Sequence, residues 1–504
     1  MKNMNQVFAM YDVRGIQDYI FRTPKLKHAI GASAIVESII EKALEYAVEK
    51  YAVESVSSDL EWENKEYDGI DKDVQVLYVG GGNAFVLYRD RELYLEVTKI
   101  MAKYVMEKTY SLQLAATCVE KTDSYKNDYR NLNLKMTKVK ADMPESKPVG
   151  ALPIMKIELA TGLPVITDDI SKETQLKLAA EKEERALIKS KNKKFDEYIE
   201  EKGEDSTLAI IHIDGNNMGL RIRELIENKE TYVEAVNEMR NISYNINHSY
   251  KEVFDDMKEA FNKREKYVVL PVLTAGDDIT YVCSGKAAIA SVEYFVNGIK
   301  KKSMTGRTED IEKYGFSVCG GIAFIRSHFP FSIGYEVAEA CCESAKDRAK
   351  TNLNDKGMVG NFFDFQFCKN VQTINIDNIR QDEYITPTNE ELLSRPFEIG
   401  GDKTKYYSYE DLKRYINIFN ESSGKKDSKS ASLPRTHAKK LRNTYPLGYS
   451  QVDSFVRFLK SRNWKLPAGD CEPYVLVGDS KIAKYYDALE LMDMYEDIET
   501  IIGE

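Results

Sequence analysis

Apolar and polar positions along this chain follow a pattern that occurs twice. The stretch VFAMYDVRGIQDYI (7–20) reads as a short apolar strand ending at Asp12, then a glycine turn into a helix. Far downstream, LAIIHIDGNNMGLRI (208–222) reads the same way, with its strand ending at Asp214. Each is followed by a helical stretch and then by apolar, β-branched runs on both sides of a glycine-bearing turn. These runs are VQVLYVGGGNAFVLY (74–88) and YVVLPVLTAGDDITYV (267–282), and the pattern predicts a hairpin. The separation from Asp12 to Asn83 is 71 residues, and from Asp214 to Asp277 it is 63. Both copies then pass through a helix into another strand, SLQLAATCVEK (111–121) and YGFSVCGGIAFI (314–325).

The order β-α-β-hairpin-α-β predicts a ferredoxin-like antiparallel sheet with helices on one face, so the expected class is α+β with two related domains. They are placed at residues 1–125 and 206–372, joined by a helical connector (126–205) and followed by a helical region (373–504). Within the connector, 171–205 is dense in Lys and Glu at helical spacing and predicts a solvated helix. Helices are expected over 409–421, 436–448 and 450–463, with the polar segment 422–432 as a loop.

Composition narrows the class. With 81 acidic against 71 basic residues and a net charge of −10, the chain is not built as an unaided, non-specific nucleic-acid binder. No apolar run approaches the ~18 residues of a membrane span, and the N-terminus lacks a signal-peptide core, so no membrane association is expected. The seven cysteines form no C-x-x-C pair, which predicts a reduced, cytoplasmic protein without a structural zinc site. Cys341 and Cys342 read as small buried hydrophobes.

The second copy concentrates chemistry. Asp214 ends a strand and Asp277-Asp278 occupy a hairpin tip, and a ferredoxin-like sheet makes those strands central neighbours. Three converging carboxylates repel one another unless a cation is present, and hard oxygen donors suit Mg²⁺ or Mn²⁺. Paired divalent ions of that kind serve phosphoryl transfer. Gly276 allows a tight turn, and Gly215, Asn216, Asn217, Met218 and Gly219 open a helix whose N–H groups suit a triphosphate. Asn216 and Asn217 also read as turn residues, and an Asp-Asp at a hairpin tip is often turn chemistry alone. In the first copy Asn83 and Ala84 are expected where Asp277 and Asp278 stand, so that copy should be catalytically silent. One live and one silent copy predict a pseudo-dimeric site with one nucleotide on each half.

Taken together, GIQDYIFRTPKLKHAIGAS (15–33), YVGGGNAFVL (78–87), TGLPVITDD (161–169), HIDGNNMG (212–219), AGDDITYV (275–282) and GGIAFIRSHFPFSIGYEVAEACCESAK (320–346) resemble, in order, the large polymerase-type subunit of type III CRISPR effector complexes. This is the cyclic-oligoadenylate synthase family with two palm domains; the region around SLPRTHAKKLR (432–442) is similar more loosely. The resemblance implies that Asp214, Asp277 and Asp278 hold the metals and act in catalysis. It implies that Ser33, Gly81, Gly82 and Asn83 line the nucleotide pocket of the first palm, and that Lys346 meets a triphosphate. By itself Lys346 reads equally as a surface lysine on an amphipathic helix.

The chain departs from the family in three places. The N-terminal nuclease domain with its His-Asp metal site has no counterpart, since none of His28, His212, His248, His328 and His437 precedes an Asp. No nuclease of that kind is therefore expected. The zinc-binding cysteines between the palms are missing from 151–164, and the first glycine of the G-G-D-D turn is Ala275, which questions the turn's geometry. The expected function is a Mg²⁺- or Mn²⁺-dependent nucleotidyltransferase that turns ATP into cyclic oligoadenylates, without zinc, alongside small effector subunits and guide or target RNA. The alternatives are a cyclase making a di- or mononucleotide, and a non-catalytic nucleotide-binding scaffold.

Overall fold

The computed structural model describes residues 6–51, 56–63, 65–70, 72–80, 82–143, 152, 154–187, 207–264, 267–353, 359–369, 375–421, 433–469 and 472–503. The first unit runs β1 (Val7–Arg14), α1 (Ile16–Phe21), α2 (Leu26–Tyr51), β2 (Ser58–Asp59), β3 (Val74–Gly80), β4 (Asn83–Tyr88), α3 (Arg91–Thr109), β5 (Gln113–Glu120) and α4 (Tyr125–Asp142). A connector of β6 (Val165–Thr167), β7 (Ile170–Ser171) and α5 (Lys172–Leu187) follows. The second unit is β8 (Thr207–Gly215), α6 (Met218–Glu227), α7 (Tyr232–Asn262), β9 (Val269–Ala275), β10 (Asp278–Ser284), α8 (Ala288–Ile299), α9 (Ile311–Tyr314), β11 (Val318–Arg326), α10 (Phe331–Thr351) and β12 (Phe362–Phe367). Beyond it lie α11 (Ile376–Glu383), β13 (Phe397–Glu398), α12 (Tyr409–Glu421), α13 (Arg435–Thr444), α14 (Tyr449–Ser461), β14 (Tyr474–Val477), β15 (Ser480–Ala483), α15 (Tyr486–Leu491) and α16 (Ile498–Ile502).

The α+β class expected from the pattern is what the structure has. One sheet has the order β2-β3-β4-β1-β5 and the other β13-β12-β11-β8-β10-β9. Four consecutive strands of each, β3-β4-β1-β5 and β9-β10-β8-β11, follow one antiparallel order. Strand β8 shows why the run Leu208–Ile211 is apolar without alternation. Ala209, Ile211 and Ile213 join the core shared with α7 and α8, while Leu208 and Ile210 join the core of the first unit. A strand covered on both faces has no polar face to alternate.

The two units clasp each other through α7. Arg240, buried on that helix, donates from Nε to Leu77 O (2.7 Å), from Nη1 to Lys65 O (2.7 Å) and from Nη2 to Val76 O (2.8 Å). Asn237 accepts from Tyr67 N at 2.7 Å and donates to Tyr67 O at 3.1 Å. A guanidinium presents a planar fork of donors, which suits carbonyls strung along a strand. Since β3 leads into the hairpin of the first unit, this clasp places that hairpin relative to the second.

Two expectations change here. The N-terminal part of the Lys/Glu-rich connector is not solvated: Glu173, Thr174 and Lys177 of α5 are fully buried against α2. Lys177 Nζ donates to Glu173 Oε1 and Tyr19 O, each at 2.6 Å, so the charge is internally matched. The rest of that expected helix, 188–205, lies outside the described residues, as do 422–432 and Cys471. The C-terminal region has its expected helices but also a two-stranded hairpin, β14–β15. Cys341 and Cys342 are buried in α10, as expected of small hydrophobes.

Candidate active site

The β9–β10 hairpin turns through Gly276 and Asp277, with Ala275 and Asp278 paired at its base. Gly276 has φ +65°, while neither Ala275 nor Asp277 lies in the positive-φ region. Positive φ at the first central residue alone is the pattern of a type II′ turn, which matches the twist of the flanking strands. The substitution Ala275 in the G-G-D-D motif therefore leaves the turn unstrained, which answers the doubt raised by the sequence. Strand β8 runs beside β10 with Ile213 opposite Ile279, so one further step sets Asp214 beside Asp278. Gly215 gives the site its clearance: a Cβ there would stand 2.8 Å from Asp277 Oδ2 and 3.0 Å from the Tyr250 hydroxyl.

Electrostatics follow from this crowding. Burial, reinforced by the charge of Asp214, pushes the Asp277 carboxyl up to about 6. Burial and the facing Asp214 and Asp277 push Asp278 well above the usual carboxylate range. Asp278 Oδ1 is buried and carries no hydrogen bond among the described residues, and the same is true of the Tyr250 and Tyr335 hydroxyls. His212 lies beneath, with Nδ1 3.1 Å from Thr280 Oγ1 and 3.4 Å from Asp278 Oδ1. Burial lowers its pKa to about 4, so the ring is neutral at pH 7.

Lys346, from α10, donates to Asp214 Oδ2 and, at 3.1 Å, to Glu343 Oε1. Burial pulls its ammonium down, but the contact with Asp214 outweighs that and holds it above the ordinary lysine value. The carboxylates thus lie at one end of the β8–β10 pair, with Asp214 engaged by an internal cation. Among the described residues no three His, Cys, Asp or Glu side chains are gathered closely enough to form a metal-holding group. The donor chemistry nevertheless fits a hard divalent ion: oxygen ligands only, mutual repulsion that a cation would relieve, and a buried orphan oxygen on Asp278.

The remaining expected residues fall less tightly together. Asn216 is buried, with its amide N–H on Ser317 O (2.8 Å) and Nδ2 on Gly360 O (3.2 Å), which makes it a structural turn residue here. Asn217, at φ +55°, is the exposed N-cap of α6 with no side-chain capping bond. Met218 opens that helix, and its Cε packs toward Gly215; Gly219 is exposed with open space around it. Ser33 is buried in α2, the helix that packs on β9. Gly82 and Asn83 sit at the β3–β4 hairpin, whereas Gly81 lies outside the described residues.

The correspondence between the two hairpins is corrected by register. Gly80 pairs with Asn83 as Ala275 pairs with Asp278, and Asn83 lies opposite Asp12 as Asp278 lies beside Asp214. Asn83 therefore stands where Asp278 stands, and Gly82, not Asn83, stands where Asp277 stands; Ala84 is one position further on. A run of three glycines left open which two form the turn, and only the backbone pairing decides it.

Comparison with known proteins places these features. Residues 207–354 match the family Cas10/Cmr2, second palm domain. The fold is similar to that of the Csm1-Csm4 cassette in complex with AMPPNP, at 12% identity over 98% of this chain and 70% of that one, with a TM-score of 0.56. It is likewise similar to the cassette in complex with one ATP (13%, 98% and 70%, TM-score 0.55). Csm1 of T. onnurineus is similar at 14% identity over 97% of this chain and 69% of that one, with a TM-score of 0.53. No curated protein matches the sequence. Residues 207–354 thus match a Cas10/Cmr2 second palm domain, and the chain has a fold similar to that of Csm1 over nearly its whole length.

Proposed function

We propose that this protein is a nucleotidyltransferase that converts ATP into cyclic oligoadenylates in type III CRISPR defence. In this reading the chain divides into a first palm (1–125) that is catalytically silent, a connector (126–205), a catalytic second palm (206–372) and a C-terminal helical domain (373–504). The observation that carries it is the edge where Asp214, Asp277 and Asp278 meet, with a buried orphan oxygen on Asp278 and a lysine within reach. In the reaction a 3′-hydroxyl oxygen forms a bond to the α-phosphorus of a second nucleotide, the bond to pyrophosphate breaks, and the hydroxyl proton is released.

Asp214, Asp277 and Asp278 would hold Mg²⁺ or Mn²⁺, which when bound supplies a Lewis acid for the phosphate oxygens. The chain's own residues position and neutralise. Lys346 turns from Asp214 to the triphosphate, adding a charge-assisted hydrogen bond where negative charge collects. Gly215 keeps the Asp277 carboxylate free to face the reacting groups. Adenine as the base, a Csm4-like partner and guide or target RNA belong to the same proposal, by likeness to Csm1-Csm4 structures solved with AMPPNP and with cA4. A second reading, a nucleotide-binding scaffold subunit, is favoured by the engagement of Asp214 by Lys346.

Purified protein incubated with each of the four NTPs and Mg²⁺ or Mn²⁺, with and without partner RNA and protein, separates the two by mass spectrometry. Cyclic oligoadenylate lost in the Asp277→Ala, Asp278→Ala double variant is the expected result. Absence of product under every condition leaves the scaffold reading.

A further inference from the structure

Two tyrosine hydroxyls border the candidate site and have no part in the chemistry proposed so far. Tyr250 lies on α7 and Tyr335 near the start of α10, and both are buried. Neither hydroxyl has a hydrogen-bond partner among the described residues. A phenol taken out of water without a partner carries a desolvation cost, and most buried hydroxyls avoid it. Tyr281, on β10, shows the ordinary solution: its hydroxyl lies 2.8 Å from Ser291 Oγ.

Both rings are locked. Tyr250 packs against Phe295, with ring centroids 5.9 Å apart, and meets Phe316 edge-on at 5.3 Å. Tyr335 stacks on Phe21 of the first unit at 3.5 Å and meets the His212 ring edge-on at 5.6 Å. A phenol oxygen lies in the plane of its ring, so this packing decides where each hydroxyl sits.

The two hydroxyls serve different carboxylates of the hairpin. The Tyr250 hydroxyl and Asp277 Oδ2 border the same space, the one Gly215 leaves open: a Cβ there would stand 3.0 Å from the first and 2.8 Å from the second. After burial, the charge that bears most on Tyr250 is that of Asp277, and on Tyr335 it is that of Asp278. Asp278 Oδ1 is itself buried and unbonded among the described residues. A carboxylate that ligates a cation through one oxygen presents the other for a hydrogen bond, and such outer partners fix its orientation.

We infer that Tyr250 and Tyr335 are positioning residues, donating from their hydroxyls to Asp277 and Asp278 when those carboxylates ligate a divalent ion. A hydroxyl that gains its partner only on loading contributes to metal affinity and not to the stability of the metal-free chain. Because Tyr335 stacks on Phe21, the first unit also takes part in holding Asp278. This inference rests on the metal reading above and adds to it which groups orient the ligands.

Urea unfolding of the full chain in EDTA, paired with Mn²⁺ titration read by electron paramagnetic resonance, tests it. The Mn²⁺ followed is the equivalent that the Asp277→Ala, Asp278→Ala variant loses. Tyr250→Phe and Tyr335→Phe keep the rings and remove only the hydroxyls. The expected result for each is a urea midpoint in EDTA no lower than the parent's, with Mn²⁺ affinity about tenfold weaker. Tyr281→Phe is the control and should show the opposite pattern, a lower midpoint with unchanged Mn²⁺ affinity. Unchanged Mn²⁺ affinity in either site variant overturns the inference for that residue. A lower midpoint in EDTA overturns it too, with or without weaker Mn²⁺ binding, because the hydroxyl then already has its role in the fold. If the parent has no such Mn²⁺ equivalent, the metal reading itself fails.

Discussion

The ammonium of Lys346 rests on the carboxylate of Asp214, and the two lie on elements 132 residues apart in the chain. Each is needed elsewhere in the proposed reaction, Asp214 by the metal and Lys346 by the triphosphate. The pair is therefore a resting arrangement in which the lysine balances part of the negative edge. Replacing Lys346 with Met removes a competitor for Asp214 and a donor for phosphate together. Mn²⁺ affinity, read by electron paramagnetic resonance, should rise roughly tenfold while affinity for an ATP analogue falls by a similar factor. Parallel losses of both would show instead that Lys346 only organises the carboxylates.

The carboxylates of the second palm also set a pH dependence. Asp277 holds its proton more tightly in the folded protein than in the unfolded chain, so through it folding takes up a proton between the ordinary carboxylate range and about pH 6, and Asp278 is shifted in the same direction. The metal-free protein should therefore lose stability as the pH rises through that window. Asp277→Asn removes this cost. Urea unfolding in EDTA should find the variant more stable than the parent by about 2 kcal/mol at pH 7.5, with the difference vanishing near pH 4. A variant less stable than the parent at pH 7.5 would mean that Asp277 is not held under repulsion.

Much of this site is legible in the amino-acid sequence, because its chemistry follows the chain's periodicity. Asp214 is marked by the end of an apolar run, and Asp277 and Asp278 by a glycine between two β-branched runs. The residues that bridge elements are not legible in that way. Lys140 sits on a helix whose surface pattern is unexceptional, and its partner Asp12 is 128 residues away. Arg240 occurs in a long amphipathic helix where a cation ordinarily faces water; only tertiary packing turns it toward three carbonyls. The buried end of α5 misleads for the same reason, since i,i+4 Lys/Glu spacing looks alike on a solvated face and in a matched internal pair such as Lys177–Glu173. Hairpin register is hidden differently: three consecutive glycines carry no side-chain pattern to choose a turn.

Gly215 is the narrowest point of the candidate site. A methyl group there meets Met218 Cε at 2.6 Å and Asp277 Oδ2 at 2.8 Å, so Gly215→Ala must displace the carboxylate or the thioether. The thioether can rotate away, but the Tyr250 hydroxyl at 3.0 Å limits the room left for Asp277. Product formation, measured by mass spectrometry, should fall about 100-fold, as expected for an ångström of misplacement at a reacting centre, while stability falls by only about 1–2 kcal/mol. Unchanged turnover would remove Asp277 from the machinery.

Arg240 tests whether the two units act as one. Its three donors satisfy the carbonyls of Lys65, Val76 and Leu77 in the first unit, and a lysine ammonium, though it has three protons, cannot span that fork. Arg240→Ala should cost about 3 kcal/mol and Arg240→Lys about 2 kcal/mol in urea unfolding, since each leaves buried carbonyls without donors. Asn237→Ala, which releases both hydrogen bonds to Tyr67, should cost about 1 kcal/mol. Because Arg240 and Asn237 lie one turn apart on α7 and both grip the segment of Lys65 and Tyr67, the double variant should cost less than the two single losses added together. Strict additivity would show that they hold the first unit independently, and that β3 and its hairpin are placed by the shared apolar core instead.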